Sequence, residues 1–122
     1  MQPKWFGAHL AYTMSKYGMS QCVLGLAHEF AGRVGVNALW PETLIATAAV
    51  QNLLGGDAAV AKSRKPEIVA DAAYAILCRD AKSCSGNFFL DVDVLKEAGK
   101  TDLAEYAALP GTTTFEKDLF LD

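Results

Sequence analysis

The stretch that most constrains this chain is 11–30, which contains no proline and is apolar on nearly every side. The spacing predicts a helix. At ~100° per residue, Tyr12, Lys16, Met19, Val23, Leu26 and Phe30 fall close to one line along it. That line begins with a phenol and an ammonium and continues wholly apolar, as a face does when it runs from a core to the rim of a cleft. Beside it lies a stripe of small residues, Ala11, Ser15, Gly18, Cys22 and Gly25. Glycine inside a helix costs roughly 1 kcal/mol against alanine, so two of them predict very close packing, with Cys22 part of it. The remaining face carries Leu10, Met14, Tyr17, Gln21, Leu24 and His28. A helix apolar all round is ordinarily buried all round, and a chain of 122 residues cannot bury it alone. A partner is therefore expected, either a second copy in a homo-oligomer or a longer relative.

Gly32 should end the helix, and Val34–Leu39 reads as a strand stopped by Trp40-Pro41. From Pro41 to Arg64 runs an excursion with an apolar segment, 44–54, closed by Gly55-Gly56. This segment is either a lid over an apolar substrate or a cover for the core. Pro66 suits the first position of a second helix, whose buried stripe would be Ile68, Val69, Ala72, Ala73 and Ile76. Gly86 opens a strand at Asn87–Leu90, and a tail with two short helical turns and a Pro110-Gly111 turn follows. Helix, strand, loop, helix, strand implies an α/β fold with parallel strands, since a helical crossover returns the chain in the same direction.

Composition narrows the function classes. With 52% hydrophobic and 20% charged residues the chain is globular rather than disordered, and one domain over 1–122 is expected. The net charge of −3 comes from interspersed charges, and no basic block offers itself to nucleic acid. No apolar run reaches the ~20 residues of a membrane span. The opening Met-Gln-Pro-Lys-Trp-Phe is unlike a secretory signal, and the closing Phe-Leu-Asp is not a peroxisomal tripeptide. Cys22, Cys78 and Cys84 lack paired metal-ligand spacing and read as free thiols in a reducing compartment, which places the chain in the cytoplasm.

Tyr12-Thr13-Met14-Ser15-Lys16 puts a phenol and an ammonium one helical turn apart. A neighbouring cation favours the phenolate over a phenol that starts near ~10, and reaching neutrality takes about three units, roughly 4 kcal/mol. A phenol so tuned can protonate a carbonyl oxygen while hydride arrives at carbon, or take the proton in the reverse direction. By itself the spacing equally describes an ordinary helix-surface pair worth a few tenths of a kcal/mol.

Three segments add context. Ala11-Tyr12-Thr13-Met14-Ser15-Lys16-Tyr17-Gly18-Met19-Ser20 resembles the active-site helix of the short-chain dehydrogenase/reductase family. Val36-Asn37-Ala38-Leu39-Trp40-Pro41 is similar to that family's next strand, usually Val-Asn-x-x-x-Pro-Gly. Ser85-Gly86-Asn87-Phe88-Phe89-Leu90-Asp91 resembles its last strand, usually Thr-Gly, an apolar run and Asp. The order is right and the resemblance covers essentially the whole chain. Within the family, Trp5-Phe6, Ala38 to Pro41, Thr47-Ala48-Ala49 and Asn87 to Leu95 resemble the hydroxysteroid-dehydrogenase-like subgroup.

The resemblance implies the C-terminal portion of a Rossmann-type, doubly wound parallel sheet without its N-terminal strands. It implies an oxidoreductase that uses NAD or NADP to interconvert a carbonyl and an alcohol. Tyr12 would be the general acid/base, and Lys16 would lower its pKa and bind the nicotinamide ribose. Pro41, Ile45 and Thr47 would border the nicotinamide and its carboxamide. Glu42 departs from the glycine usual after the proline, and Thr43 and Thr47 depart from the usual threonine spacing. The family's Gly-rich turn is missing, as is the serine expected about a dozen positions before the tyrosine, where Met1 falls inside the active-site loop. The first strand would then expose an unpaired edge, and the isolated chain is expected to be inactive in hydride transfer. The long apolar excursion implies a small apolar carbonyl or alcohol as substrate. The competing expectation is a non-catalytic module that docks on a full-length dehydrogenase through its first helix.

Other residues read as structural. His9 is expected to be a surface or capping residue rather than a base, since no nucleophile accompanies it. His28 reads as a polar partner contact. Asp91 and Asp93 read as a strand end and helix cap rather than a metal site, for the other ligands of a calcium loop are lacking.

Overall fold

The computed structural model describes residues 2–121; both ends of the expected 1–122 domain, and with them Met1 and its placing in an active-site loop, lie outside the described residues. In chain order the elements are α1 (Pro3–Gly7), α2 (Leu10–Glu29), β1 (Ala38–Trp40), α3 (Ala48–Leu53), α4 (Gly56–Ala61), α5 (Glu67–Leu77), β2 (Phe88–Leu90) and α6 (Asp91–Glu97), followed by a 3-10 turn at Ala104–Tyr106. β1 and β2 pair as a two-stranded parallel sheet, so the α/β class with parallel strands holds. The chain gathers into two compact units, one running through Ala38 and resuming over Arg79–Phe88, the other holding Leu39–Cys78 and continuing from Phe89. No helix among the described residues is long and apolar enough to cross a membrane.

In the first unit α2 spans the expected helix almost residue for residue. It ends where Gly32, at φ 74°, turns the chain left-handed, and the N–H groups of Arg33 and Val34 both donate to the Phe30 carbonyl. The Trp5-Phe6 lead-in is itself a helical turn, which pattern alone did not predict. The Thr13 hydroxyl donates to the Trp5 carbonyl at 2.6 Å, and the Phe6 and Tyr17 rings stack at 5.7 Å, so α1 folds back on α2. Thr13 is the buried residue of α2. Leu10, Met14, Met19, Leu24 and Leu26 stand exposed within the described chain. The small-residue stripe meets no close neighbour either: a Cβ built on Gly18 or Gly25 has nothing within 4 Å, and Cys22 is exposed rather than packed. The close packing expected of that stripe is therefore not made among the described residues.

The strand expected over 34–39 is shorter and begins later. Just before it the Asn37 side chain is bonded to 84–87: its Nδ2 donates to the Cys84 carbonyl at 3.0 Å, and its Oδ1 accepts from the backbone N–H of Asn87 at 3.1 Å and from Asn87 Nδ2 at 2.8 Å. Beside these side-chain bonds the Gly86 N–H donates to the Val36 carbonyl at 2.7 Å, and the strand itself starts at Ala38. Trp40 belongs to it, because a following proline favours extended backbone. Gly35 is required by space, since a Cβ there would sit 2.8 Å from the Cys84 carbonyl oxygen.

In the second unit the core is built by Ile68 and Ala72 of α5, Val92, Val94 and Leu95 of α6, and Tyr106. Ile68 and Ala72 carry the stripe expected of the second helix, with Val69 and Ile76 partly buried against the same core. Pro66, at φ −56°, sits one position before the helix rather than in it. The apolar segment 44–54 divides. Its first residues run extended, and helix begins only after Thr47, whose side chain accepts from the Val50 N–H. Gly55 and Gly56, both at positive φ, reverse the chain into α4, which was not expected. Val50 and Ala59 bury against the unit, while Leu53 and Leu54 at the tip are exposed. The tail supplies α6, the 3-10 turn, and a reversal at Gly111, where φ is 87°. There the Tyr106 hydroxyl donates to Asp71 and accepts from Lys100, and Lys100 also pairs with Glu105. Burial, reinforced by Asp71, pushes the Tyr106 phenol above its ordinary 10.

Candidate active site

The Tyr-x-x-x-Lys pair lies in the first half of α2, with Thr13 between its members tying the helix to α1. Helical spacing brings the two side chains together, and the Lys16 ammonium stands 5.4 Å from the centre of the Tyr12 ring. Tyr12 is half exposed, so its phenol is reachable from outside this chain. The Ser15 hydroxyl turns inward to the Tyr12 carbonyl at 2.7 Å, an i−3 back-bond that leaves the helix intact. A cation beside a reachable phenol is a proton donor with a built-in stabiliser for its conjugate base.

Pro41, Ile45 and Thr47 lie in the second unit. The chain from Pro41 runs extended between two other segments: Thr43 bridges antiparallel to Lys117 and Ile45 bridges parallel to Arg64. The side chain of Ile45 packs against the core, so what it offers outward is backbone. The Thr47 hydroxyl accepts the Val50 amide as a helix cap and keeps its own proton to donate. Glu42, at the departure from the usual glycine, points its carboxylate to Arg64, with Nη1 to Oε2 at 2.8 Å.

Sequence reasoning missed two positions. Asn37, one residue of the strand motif, is the clamp on 84–87. Asp91, expected as a strand end, instead begins α6, is fully buried, and accepts the Glu42 amide as well as that of Val92. Burial pushes its carboxyl above the ordinary 3.8, while the two amides and the Arg64 charge draw it back down. His9 occupies the N-cap of α2 without a side-chain cap bond, so it acts there through its carbonyl, which accepts from Thr13. Among the described residues no group of His, Cys, Asp and Glu could hold a metal ion.

With a helix bearing Tyr-x-x-x-Lys followed by two parallel strands joined through helices, the chain is similar over its whole length to a segment of short-chain dehydrogenases. No family model matches it, but solved structures do. It is 50% identical to a Xanthomonas campestris protein assigned as a dehydrogenase, with a TM-score of 0.90 over all of this chain and 44% of that one. A short-chain dehydrogenase from Mycobacterium thermoresistibile gives a TM-score of 0.84 at 50% identity, over 100% and 43%. Among curated proteins it is similar to hydroxysteroid dehydrogenase-like protein 2: 52% identical to that of Rattus norvegicus, 51% to that of Danio rerio and 49% to that of Homo sapiens. Each match covers the whole of this chain and respectively 23%, 29% and 28% of the relative, so the chain spans about a quarter of the length of these proteins.

Proposed function

We propose that this chain is the catalytic-helix segment of a nicotinamide-dependent oxidoreductase that interconverts a carbonyl and an alcohol on a small apolar substrate. The observation that carries the proposal is the Lys16 ammonium 5.4 Å from the ring of a reachable Tyr12. In reduction the Tyr12 hydroxyl gives its proton to the carbonyl oxygen; in oxidation the phenolate takes the proton of the alcohol. Lys16 stabilises the phenolate in both directions.

The donor set at α2 fits the ribose end of a nicotinamide nucleotide, since an ammonium supplies three donors to sugar hydroxyls. Nothing among the described residues resembles the Gly-rich turn that would take the pyrophosphate. Lys16 would hold the ribose, and Pro41, Ile45 and Thr47 the nicotinamide side, through the Ile45 backbone and the free proton of Thr47. The nicotinamide, when bound, supplies or accepts the hydride. The exposed apolar tip Leu53-Leu54 supports an apolar substrate. For want of the pyrophosphate turn, the chain by itself does not turn over.

The test is to graft this chain in place of its counterpart in the Xanthomonas campestris relative and to follow nicotinamide absorbance over a panel of apolar ketones and secondary alcohols. Tyr12→Phe should lower kcat by ~10²–10⁴-fold and leave cofactor binding unchanged. Turnover by the Phe variant equal to that of the native graft would end the enzyme reading.

One observation favours a second reading, a non-catalytic module. Leu10, Met14 and Leu24 of α2 are exposed, as they would be on a helix that docks on a longer relative or a second copy. Under that reading Tyr12→Phe would leave both activity and binding of the relative untouched.

A further inference from the structure

The loop after Pro41 is tied down largely by backbone groups. The Glu42 carbonyl accepts from Asp118 N–H at 3.0 Å, and Leu44 N–H donates to the Glu116 carbonyl at 2.9 Å. The Leu44 carbonyl accepts from Arg64 N–H at 2.9 Å, and Ala46 N–H donates to the Arg64 carbonyl at 2.8 Å. The N–H of Glu42 donates instead to a side chain, Asp91 Oδ1, at 2.9 Å. The same oxygen accepts from Val92 N–H at 2.8 Å.

Asp91 has no exposed surface, and its Oδ2 is buried without a hydrogen-bond partner. Placing a carboxyl there with one oxygen idle is costly, and a small apolar residue would avoid the cost. What the position gains lies at Oδ1, which joins the start of α6 to the first residue after Pro41. Glu42 is also held at its other end, where its carboxylate meets Arg64. That guanidinium is itself buried and lies 4.6 Å from the Phe115 ring centre, with Nε unpartnered. Glu42 is thus fixed at its amide by Asp91 and at its carboxylate by Arg64.

We propose that Asp91 is a positioning residue: through the Glu42 amide, and with Arg64 on the Glu42 carboxylate, it sets the path of the chain on which Pro41, Ile45 and Thr47 face the nicotinamide. This rests on the reading of that loop given under Proposed function.

Amide hydrogen exchange by NMR on the full 122-residue chain tests the pin directly. In Asp91→Ala the protection of the Glu42 amide should fall ~10–100-fold, while the Ala46 and Arg64 amides, bonded to backbone, stay within ~3-fold. Asp91→Asn keeps an acceptor oxygen and should restore most of the Glu42 protection. In the grafted enzyme, Asp91→Ala should raise the cofactor KM ~10-fold with kcat within ~3-fold, and Asp91→Asn should lie near the native enzyme. Unchanged Glu42 exchange in Asp91→Ala overturns the proposal. So does loss of protection throughout the second unit in both variants, or selective release of Glu42 with an unmoved KM. Failure of the dehydrogenase reading looks different: the native graft shows no nicotinamide-linked turnover, and the exchange experiment still decides whether Asp91 holds Glu42.

Discussion

Replacing Gly18 and Gly25 of α2 by alanine should stabilise the helix in this chain. Both glycines sit inside a regular helix, and a methyl built on either meets nothing within 4 Å. No packing is lost and no clash is made, so the effect reduces to helix propensity, about 1 kcal/mol for each position. The double variant should gain roughly 2 kcal/mol in the local stability of α2, the sites being seven residues apart and independent. Hydrogen exchange of the α2 amides reads this gain as a slowing of ~30-fold at 2 kcal/mol. A destabilised helix would mean that a neighbour already packs on the stripe in solution, and would refute the reasoning. In the grafted enzyme the sign should reverse if the glycines serve close packing against the rest of the dehydrogenase. The pair of signs, gain in one setting and loss in the other, separates propensity from packing.

Ile68→Ala removes a fully buried side chain from the centre of the second unit. Lost transfer energy and the cavity left behind together predict about 3–4 kcal/mol of destabilisation in urea unfolding; Leu24→Ala on exposed α2 should fall within ~0.5 kcal/mol of native. A cost below ~1 kcal/mol for Ile68→Ala would show that the core lies elsewhere. Asp91 predicts a pH dependence. Because its folded-state pKa is raised above 3.8, the stability it contributes is fully present below that value and is lost as pH rises through the folded-state value. The stability of the native chain minus that of Asp91→Asn should therefore decline as pH rises from 3.8 upward, with Arg64 and Glu42 moderating the slope. A difference that grows with pH would contradict the burial argument.

Much of this was legible from periodicity. The extent of α2, the Ile68–Ala72 stripe and the parallel order follow from spacing and crossover geometry, because apolar period and chain direction are local properties; that the α2 line would stand unburied did not. Boundaries set by side-chain bonding were not legible. At the start of β1 the Asn37 side chain takes the Asn87 amide, and Thr47 delays α3 by capping it. The loop after Pro41 reads as apolar in sequence, yet its path depends on residues 64, 91 and 116–118, none of them near it in the chain. The departure at Glu42 was a sequence signal there, and its explanation, a carboxylate paired with buried Arg64, needed the fold. That Tyr12 and Lys16 stand side by side was legible because a helical turn alone brings them together.

A double-mutant cycle on Tyr12 and Lys16 in the grafted enzyme tests the central claim most directly. If the ammonium acts through the phenol, Tyr12→Phe combined with Lys16→Met should cost kcat little more than Tyr12→Phe alone, within about threefold, because residues that act as a unit are not additive. If the two losses in kcat simply multiply, the residues work separately, and the pair is a helix-surface neighbour rather than one acid–base device.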